Sequence, residues 1–340
     1  MAKILLTGAA GFIGLHVLER MSQEHEVVAI DNLSDFSNYE IKLRRISHVS
    51  GGEIAFDTNG KLKSDKISFY KLDILDEAKL QKLFSDEQFD MVIHLAAMTG
   101  IRQSVEQPDI YEKVNVRGFF NIIECCRKHN IKKLLFASSS SVYGNCQDVP
   151  FTEKSDTDTP LNLYAASKKM NELIAHSYAS LYQMHCVGLR FFTVYGPWNR
   201  PDMATFTFIK NIEAGVPIKL YNSGNMQRDF TFVGDIVESI KRLTDIMTQQ
   251  KSSLAIPYQI FNIGGGHPVN LIEYVSAIET ILGKKAIIEN HELQKGEMLN
   301  TYADCSALSE FTGFRPKVDF TEGLEETVKW YKSHRDISGV

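Results

Sequence analysis

Short apolar runs at residues 3–7, 26–30, 67–71, 91–94, 133–137 and 187–190 read as β-strands, and apolar residues recur at helical spacing between them over 12–21, 77–84, 111–128 and 161–182. That alternation predicts an α/β fold with a parallel, doubly wound sheet whose strands are joined by helical crossovers. After about residue 192 the elements shorten and are separated by turn-rich stretches at 221–225 and 264–268, which predicts a smaller α/β lobe over the carboxyl edge of the sheet. The expected division is residues 1–192, also receiving 232–264, and residues 193–340. Residues 47–66 are polar and contain glycine, and predict an insertion loop with a hairpin at Asn59-Gly60 whose role the pattern does not reveal.

A chain of 340 residues, 44% of them hydrophobic, has the material for a large core in two parts, so a site between lobes is expected. The formal net charge of −5 offers no basic field for nucleic acid or an anionic membrane. No apolar run of about 20 residues is available to cross a bilayer. The chain opens on a strand-like run rather than a basic and apolar leader, so a cytoplasmic protein is expected. Cys125, Cys126, Cys146, Cys186 and Cys305 are scattered without CxxC spacing, which argues against a zinc site or a disulfide framework, and no metal is expected.

The first strand runs into Thr7-Gly8-Ala9-Ala10-Gly11-Phe12-Ile13-Gly14. Glycines at this GxxGxxG spacing let the backbone approach a pyrophosphate at a helix N-terminus, although the same residues also serve as plain strand-to-helix punctuation. The second strand ends at Asp31, about 20 residues further on, where a carboxylate accepts hydrogen bonds from ribose hydroxyls and repels a 2′-phosphate. Asn32, Leu33 and Ser34 follow with no Arg or Lys among them, so NAD is expected over NADP. Asp73 closes the third strand and reads either as a contact to the adenine amine or as the N-cap of the next helix.

Tyr164-Ala165-Ala166-Ser167-Lys168 opens a long helical segment, and the i, i+4 spacing sets phenol and ammonium on one face. A cation beside a tyrosine favours its phenolate and makes a base of it; the bland alternative is two side chains lying along a helix surface. The strand at 133–137 leads into Ser138-Ser139-Ser140-Ser141-Val142-Tyr143-Gly144, which brings hydroxyls to the carboxyl end of the sheet, where ligands of such folds bind. A hydroxyl there can orient the oxygen that Tyr164 deprotonates.

These motifs, with His94-Leu95-Ala96-Ala97, Arg190-Phe191-Phe192-Thr193-Val194-Tyr195-Gly196-Pro197 and Arg228-Asp229-Phe230, occur in an order that resembles the extended short-chain dehydrogenases/reductases acting on nucleotide sugars. The resemblance spans nearly the whole chain. It implies a Rossmann NAD-binding domain, a UDP-sugar-binding lobe, and a catalytic triad of Ser139, Tyr164 and Lys168, with Lys168 also on the nicotinamide ribose. Gly8, Gly11, Phe12, Ile13, Gly14, Asp31, Asn32, Asp73, Ile74, Leu95, Ala96, Ala97 and Asn115 are the remaining cofactor contacts it implies. A homodimer joined through the helices at 111–128 and 161–182 also follows from it.

Dehydratases of this family carry an Asp-Glu pair just before the Val-Tyr-Gly, and UDP-glucuronate decarboxylases a Glu; this chain has Ser140 and Ser141 there. With no carboxyl group to move protons at C5 and C6, the resemblance implies a 4-keto sugar that is simply reduced again, inverting C4. Trp198-Asn199-Arg200-Pro201-Asp202-Met203-Ala204 resembles the Gly-Arg-Pro-Asp-Met segment of UDP-glucuronate 4-epimerases, which assigns Thr193 and Arg200, with Ser140 and Ser141, to a sugar carboxylate. Taken alone, Arg200 reads as a surface ion pair. Arg228 matches the family arginine on the diphosphate, Glu297 stands where relatives place an Asp on the uridine ribose, and Arg102 matches an arginine near the substrate pocket or is simply exposed. Asn199 replaces the usual glycine, which stiffens the turn before Arg200. The competing readings are an epimerase of UDP-glucose or an N-acetylhexosamine, and an NAD-binding regulator without catalysis.

Overall fold

The computed structural model describes residues 1–64, 66–249, 252–293 and 296–334. Its core is a seven-stranded parallel sheet of β1 (Lys3–Thr7), β2 (Glu26–Asp31), β3 (Ser68–Lys71), β4 (Met91–His94), β5 (Lys133–Ser139), β6 (His185–Phe191) and a strand from much later in the chain, Tyr258–Ile263. The late strand pairs with β6 at one edge of the sheet, with Ile260 opposite Gly188. β7 (Thr193–Tyr195), β8 (Ile218–Tyr221) and β9 (Gln227–Phe232) precede it, so it is β10; β11 (Pro268–Asn270) and β12 (Ile288–His291) follow. The sheet order is β10-β6-β5-β4-β1-β2-β3, while β11-β9-β7 and β12-β8 form two small sheets.

Both faces of the large sheet are covered, and residue alternation along the strands decides which core each side chain joins. In β1, Ile4 and Leu6 join a core that extends through the helix Val233–Gln249 to the small β7–β9 sheet. Leu5, between them, joins the opposite core with Phe119, Ile122 and Phe136. The direction of chain travel reverses between β1 and β4, and such a reversal opens a crevice at the carboxyl ends of the strands. The glycine turn after β1 and Leu95, Ala96 and Ala97 after β4 stand at that crevice.

Two helices differ from the expected pattern. The segment expected as one helix at 111–128 contains a π-helical turn, Glu112–Arg117, ahead of Gly118–Lys128. The wider turn absorbs an extra residue and turns Asn115 inward, where it is buried. A twelve-residue helix, Tyr39–Ser50, also lies where no helix was expected, and its last four residues overlap the predicted insertion. It is capped by Asn38, whose side chain accepts from the Ile41 amide, and ends at Gly51 with φ of 70°.

Further along the insertion, residues 56–62 form the expected hairpin, with Phe56 bridged to Leu62 in antiparallel fashion. The hairpin lies along β3: the Leu62 amide donates to the Phe69 carbonyl at 2.8 Å and the Lys71 amide to the Gly60 carbonyl at 2.7 Å. Among the described residues, no helix is long and apolar enough to cross a membrane.

Candidate active site

A cavity of about 880 Å³ opens above the crevice and reaches across to β7, β9 and the loop at 199–204. At its sheet end the backbone replaces side chains. Gly8 has φ of 72°, and a Cβ there would stand 2.7 Å from the Ala96 amide nitrogen. A Cβ on Gly14 would meet the Gly8 carbonyl oxygen at 2.0 Å, so the helix Phe12–Met21 can approach the turn only with glycine at that position. Gly11 precedes this helix, which has no side-chain cap and no acid in its first turn. Its first amides therefore face the cavity as free donors, and this end fits a dinucleotide diphosphate. Phe12, Ile13, Ile74, Leu95, Ala96 and Ala97 line the same region.

Asp31 lies at the crevice, but with company that was not foreseen. Its Oδ1 accepts from the Leu33 amide at 2.8 Å and from the Lys42 ammonium at 3.0 Å, while Oδ2 accepts from the Ala10 amide at 3.2 Å. The expectation that no cation offsets Asp31 is therefore corrected: Lys42 comes from the unforeseen helix, eleven residues downstream. Asn32 lines the cavity and donates to Asp73 at 2.9 Å. Asp73 itself is not among the lining residues, and it does not cap the next helix, since Asp76 accepts from the Lys79 amide there. It holds a turn instead, accepting from the Leu75 amide at 2.8 Å.

Tyr164 and Lys168 both line the cavity from the helix Leu163–Tyr182, whose N-cap Asn162 accepts from the Ala165 amide at 2.9 Å. The Lys168 ammonium donates to the Ala137 carbonyl at 2.9 Å and is 2% exposed, and burial pushes it down to about 8. Burial also raises the Tyr164 phenol above its ordinary value, against the opposing pull of the Ser139 hydroxyl and the Arg200 charge. Lys168, the cation expected to act on this phenol, shares the cavity with it. Ser139 accepts from the Ser141 amide at 3.1 Å, and its hydroxyl donates to the Ser141 hydroxyl, also at 3.1 Å. Ser140, Ser141 and Thr193 complete this hydroxyl-lined wall.

Asn115 does not reach the cavity. It accepts from the Met98 amide at 2.7 Å and donates to the Met98 carbonyl and the Ser167 hydroxyl, both at 3.0 Å. Ser167 in turn donates to the Tyr164 carbonyl at 2.7 Å, so Asn115 anchors the first turn of the helix bearing Tyr164. Behind the wall, Glu172 and Arg190 form a two-pronged pair at 2.9 and 2.8 Å, both side chains 4% exposed. Ser138 donates to Glu172 at 2.6 Å, and Arg190 donates to the Tyr143 hydroxyl at 3.0 Å, tying β5, β6 and the helix together. Glu172 was missed; its signal was an acid eight residues after Tyr164, near the same helix face.

Arg200 lines the cavity at the loop that the sequence singled out, and its partner is Asp202. Nε donates to Oδ1 at 3.0 Å and Nη2 to Oδ2 at 2.5 Å, while Nη1 donates to the Thr99 hydroxyl. The Asn199 Oδ1 accepts from the Arg200 amide at 2.7 Å, a side-chain hold on this turn that glycine could not supply. Arg45, also unforeseen and 1% exposed, donates to the Ala10 carbonyl at 3.0 Å and the Trp198 carbonyl at 2.6 Å, joining the glycine turn to the Arg200 loop. Arg228 donates to Glu297 at 3.0 Å and to the Leu299 carbonyl at 3.0 Å, so Glu297 spends its carboxylate on a neighbouring arginine. Arg102 lines the mouth, but its side chain is 68% exposed and pairs with Glu106.

Residues 4–264 match the model of the NAD dependent epimerase/dehydratase family. Protein CapI of Staphylococcus aureus is 43% identical, with 97% of this chain and 98% of that protein covered. A probable UDP-glucuronate 4-epimerase of Rhizobium meliloti is 38% identical, with 97% of this chain and 96% of that one covered. The crystal structure of UDP-glucuronic acid 4-epimerase from Bacillus cereus, in complex with UDP-glucuronic acid and NAD, superposes with a TM-score of 0.86 at 30% identity, covering 97% of this chain and 99% of that one. With its glycine turn, its Ser139, Tyr164 and Lys168 on one cavity, and relatives matched end to end, this chain belongs to the NAD dependent epimerase/dehydratase family.

Proposed function

We propose that the protein inverts C4 of a UDP-hexuronate, converting UDP-glucuronate and UDP-galacturonate reversibly through a 4-keto sugar. The observation that carries this reading is the wall of the cavity formed by the loop after β5 and by β7, where Ser139, Ser140, Ser141 and Thr193 stand with Tyr164 and no acid is among them. That wall offers hydroxyls and a phenol for proton transfer at O4, and among the described residues it carries no carboxyl group to expel water from the ring. Among the described residues, the lining holds seven Lys and Arg against three Asp and Glu, in a chain of net negative charge, which suits a ligand pair rich in phosphate.

NAD, when bound, supplies the reversible oxidation at C4 that no side chain can perform. In this reading Gly8, Gly11, Phe12, Ile13 and Gly14 hold its diphosphate, Asp31, Asn32 and Lys42 its adenosine end, and Lys168 its nicotinamide ribose. Ile74, Leu95, Ala96 and Ala97 form the apolar wall. Tyr164 takes and returns the O4 proton while Ser139 orients that oxygen. Arg200, with Ser140, Ser141 and Thr193, holds the sugar carboxylate and fixes its rotation, since a 4-keto uronate is a β-keto acid that would otherwise lose carbon dioxide. Arg228 meets the diphosphate of UDP. Residues 1–192 with 232–264 carry the cofactor and residues 193–340 most of the sugar nucleotide.

A homodimer through the helices Gly118–Lys128 and Leu163–Tyr182 belongs to the proposal, supported by the exposure of Phe120, Met170, Leu173 and Leu181 on them. So do a cytoplasmic setting, where NAD and UDP-sugars are available, and polysaccharide biosynthesis, since an activated sugar acid is chemically a donor for glycan transfer.

The test is incubation of the purified protein with UDP-glucuronate and no added NAD. UDP-galacturonate as sole product is the expected result; a pentose product overturns the reading of the hydroxyl wall. The resting pair of Arg200 with Asp202 favours a second reading, in which the sugar is a neutral UDP-hexose and Arg200 has no ligand to meet. Turnover of UDP-glucose with none of UDP-glucuronate would establish that alternative.

A further inference from the structure

Arg200 and Asp202 differ in how firmly each is held. The loop backbone around Arg200 is pinned on three sides: Arg45 takes the Trp198 carbonyl, Asn199 takes the Arg200 amide, and the Met203 amide donates to the Arg200 carbonyl at 3.2 Å. The Arg200 side chain is 14% exposed and keeps a separate hold on Thr99, so it stays on the cavity wall whether or not Asp202 is present. Asp202 is 47% exposed, and among the described residues its carboxylate makes hydrogen bonds to Arg200 alone. One member of the pair is fixed and the other is free to leave.

The bond pattern also has a chemical meaning. Two parallel N–H groups of a guanidinium meet the two oxygens of one carboxylate, the arrangement that a sugar carboxylate requires of the same fork. We infer that Asp202 is an exchangeable counter-ion: it occupies Arg200 when no uronate is bound, is displaced by the sugar carboxylate, and takes Arg200 back when that carboxylate lets go. Asp202 is thus a specificity-determining residue, acting on uronate ligands and indifferent to neutral ones. A hydroxymethyl group at C5 cannot supply two anionic acceptors, so a neutral UDP-hexose leaves the pair as it is. Inversion at C4 requires the sugar ring to present its other face, and a carboxylate that can be handed off and recaptured permits that turn. This inference rests on the reading of Arg200 as the carboxylate site.

The experiment is Asp202→Asn in the full chain, assayed with UDP-glucuronate and titrated with UDP-galacturonate, UDP-glucose and UDP. Removing the competing carboxylate is expected to lower KM for UDP-glucuronate and Ki for UDP-galacturonate by about two- to fivefold, the range of a half-exposed ion pair. kcat is expected to fall with them as release slows. Ki for UDP and for UDP-glucose should not move, which separates carboxylate exchange from a general gain of affinity for anions. Equal changes for UDP and UDP-galacturonate overturn the inference, as do unchanged or raised constants for the uronates at an unchanged melting temperature. If the wild-type protein itself binds UDP-galacturonate no better than UDP-glucose, then the reading of Arg200 fails and the exchange fails with it.

Discussion

Lys42 places its ammonium 3.0 Å from Asp31, at the point where the cofactor's adenosine ribose is expected. Both side chains are nearly buried, so the negative charge that would repel a 2′-phosphate is partly cancelled in place. Asp31→Asn removes the repulsion and frees an ammonium for that phosphate. The ratio of NADP to NAD affinity, measured by calorimetric titration of both nucleotides, is expected to rise at least about tenfold, a change worth about 1.4 kcal/mol. An unchanged ratio would mean that neither group meets the ribose.

Tyr164→Phe keeps the ring and its edge contact with Tyr111 while deleting the phenol. Turnover of UDP-glucuronate should fall by a factor on the order of 10²–10⁴, with NAD content and melting temperature retained. A loss below tenfold would assign proton transfer to another group.

Thr193→Ala takes one hydroxyl from the wall proposed to restrain the sugar carboxylate. The expected outcome is a UDP-pentose, detected by NMR alongside the C6 acid. A variant that slows while every product remains a sugar acid would show that rotation of the carboxylate is fixed elsewhere.

The pH dependence follows from Lys168. Its charge is lost above about 8, so kcat/KM is expected to decline on that side. Stability runs the other way. The folded value lies below the ordinary 10.5, so unfolded chains bind this proton more readily between the two. The contribution of the group is therefore present above pH 10.5 and lost as the pH falls through about 8. Lys168→Met escapes that cost, and its melting temperature relative to wild type should be most favourable near neutrality and converge towards pH 10.5.

Glu172→Gln breaks the buried pair with Arg190 and should cost about 3–5 kcal/mol by urea unfolding, because it strands a guanidinium behind the serine wall. Replacing both residues by methionine should recover most of that loss. Failure of the double variant to recover would indicate that the hydrogen bonds to Ser138 and Tyr143 matter more than the charge pair.

What the sequence disclosed depended on what each side chain contributes to periodicity. The buried strands read plainly because the buried residues of β1, β2 and β4 are apolar up to their last positions, Thr7, Asp31 and His94, and the glycine turn read plainly because backbone contact admits nothing else. The helix Tyr39–Ser50 was invisible because its buried face includes Lys42 and Arg45, charged residues that hydrophobic spacing assigns to solvent. Its caps, Asn38 and Gly51, were the legible signal. The π-helical turn at 112–117 could not be read, since one extra residue changes the direction of Asn115 without disturbing the apolar count around it. Asp202 stood in plain view, two residues beyond Arg200. Its effect was hidden because the partner of an arginine is decided by the fold of the loop.

The hairpin at 56–62 gives the polar insertion a role that composition alone left blank. β3 ends the large sheet, and a bare outer strand presents unpaired amides and carbonyls on which a second molecule can template itself. Gly60 and Leu62 occupy two of those hydrogen-bonding positions with the chain's own backbone, close to a run of lysines at 61, 63 and 66. A protein shortened there would keep its cavity intact and lose its colloidal behaviour instead, forming polymers through β3 while each molecule within them remained folded.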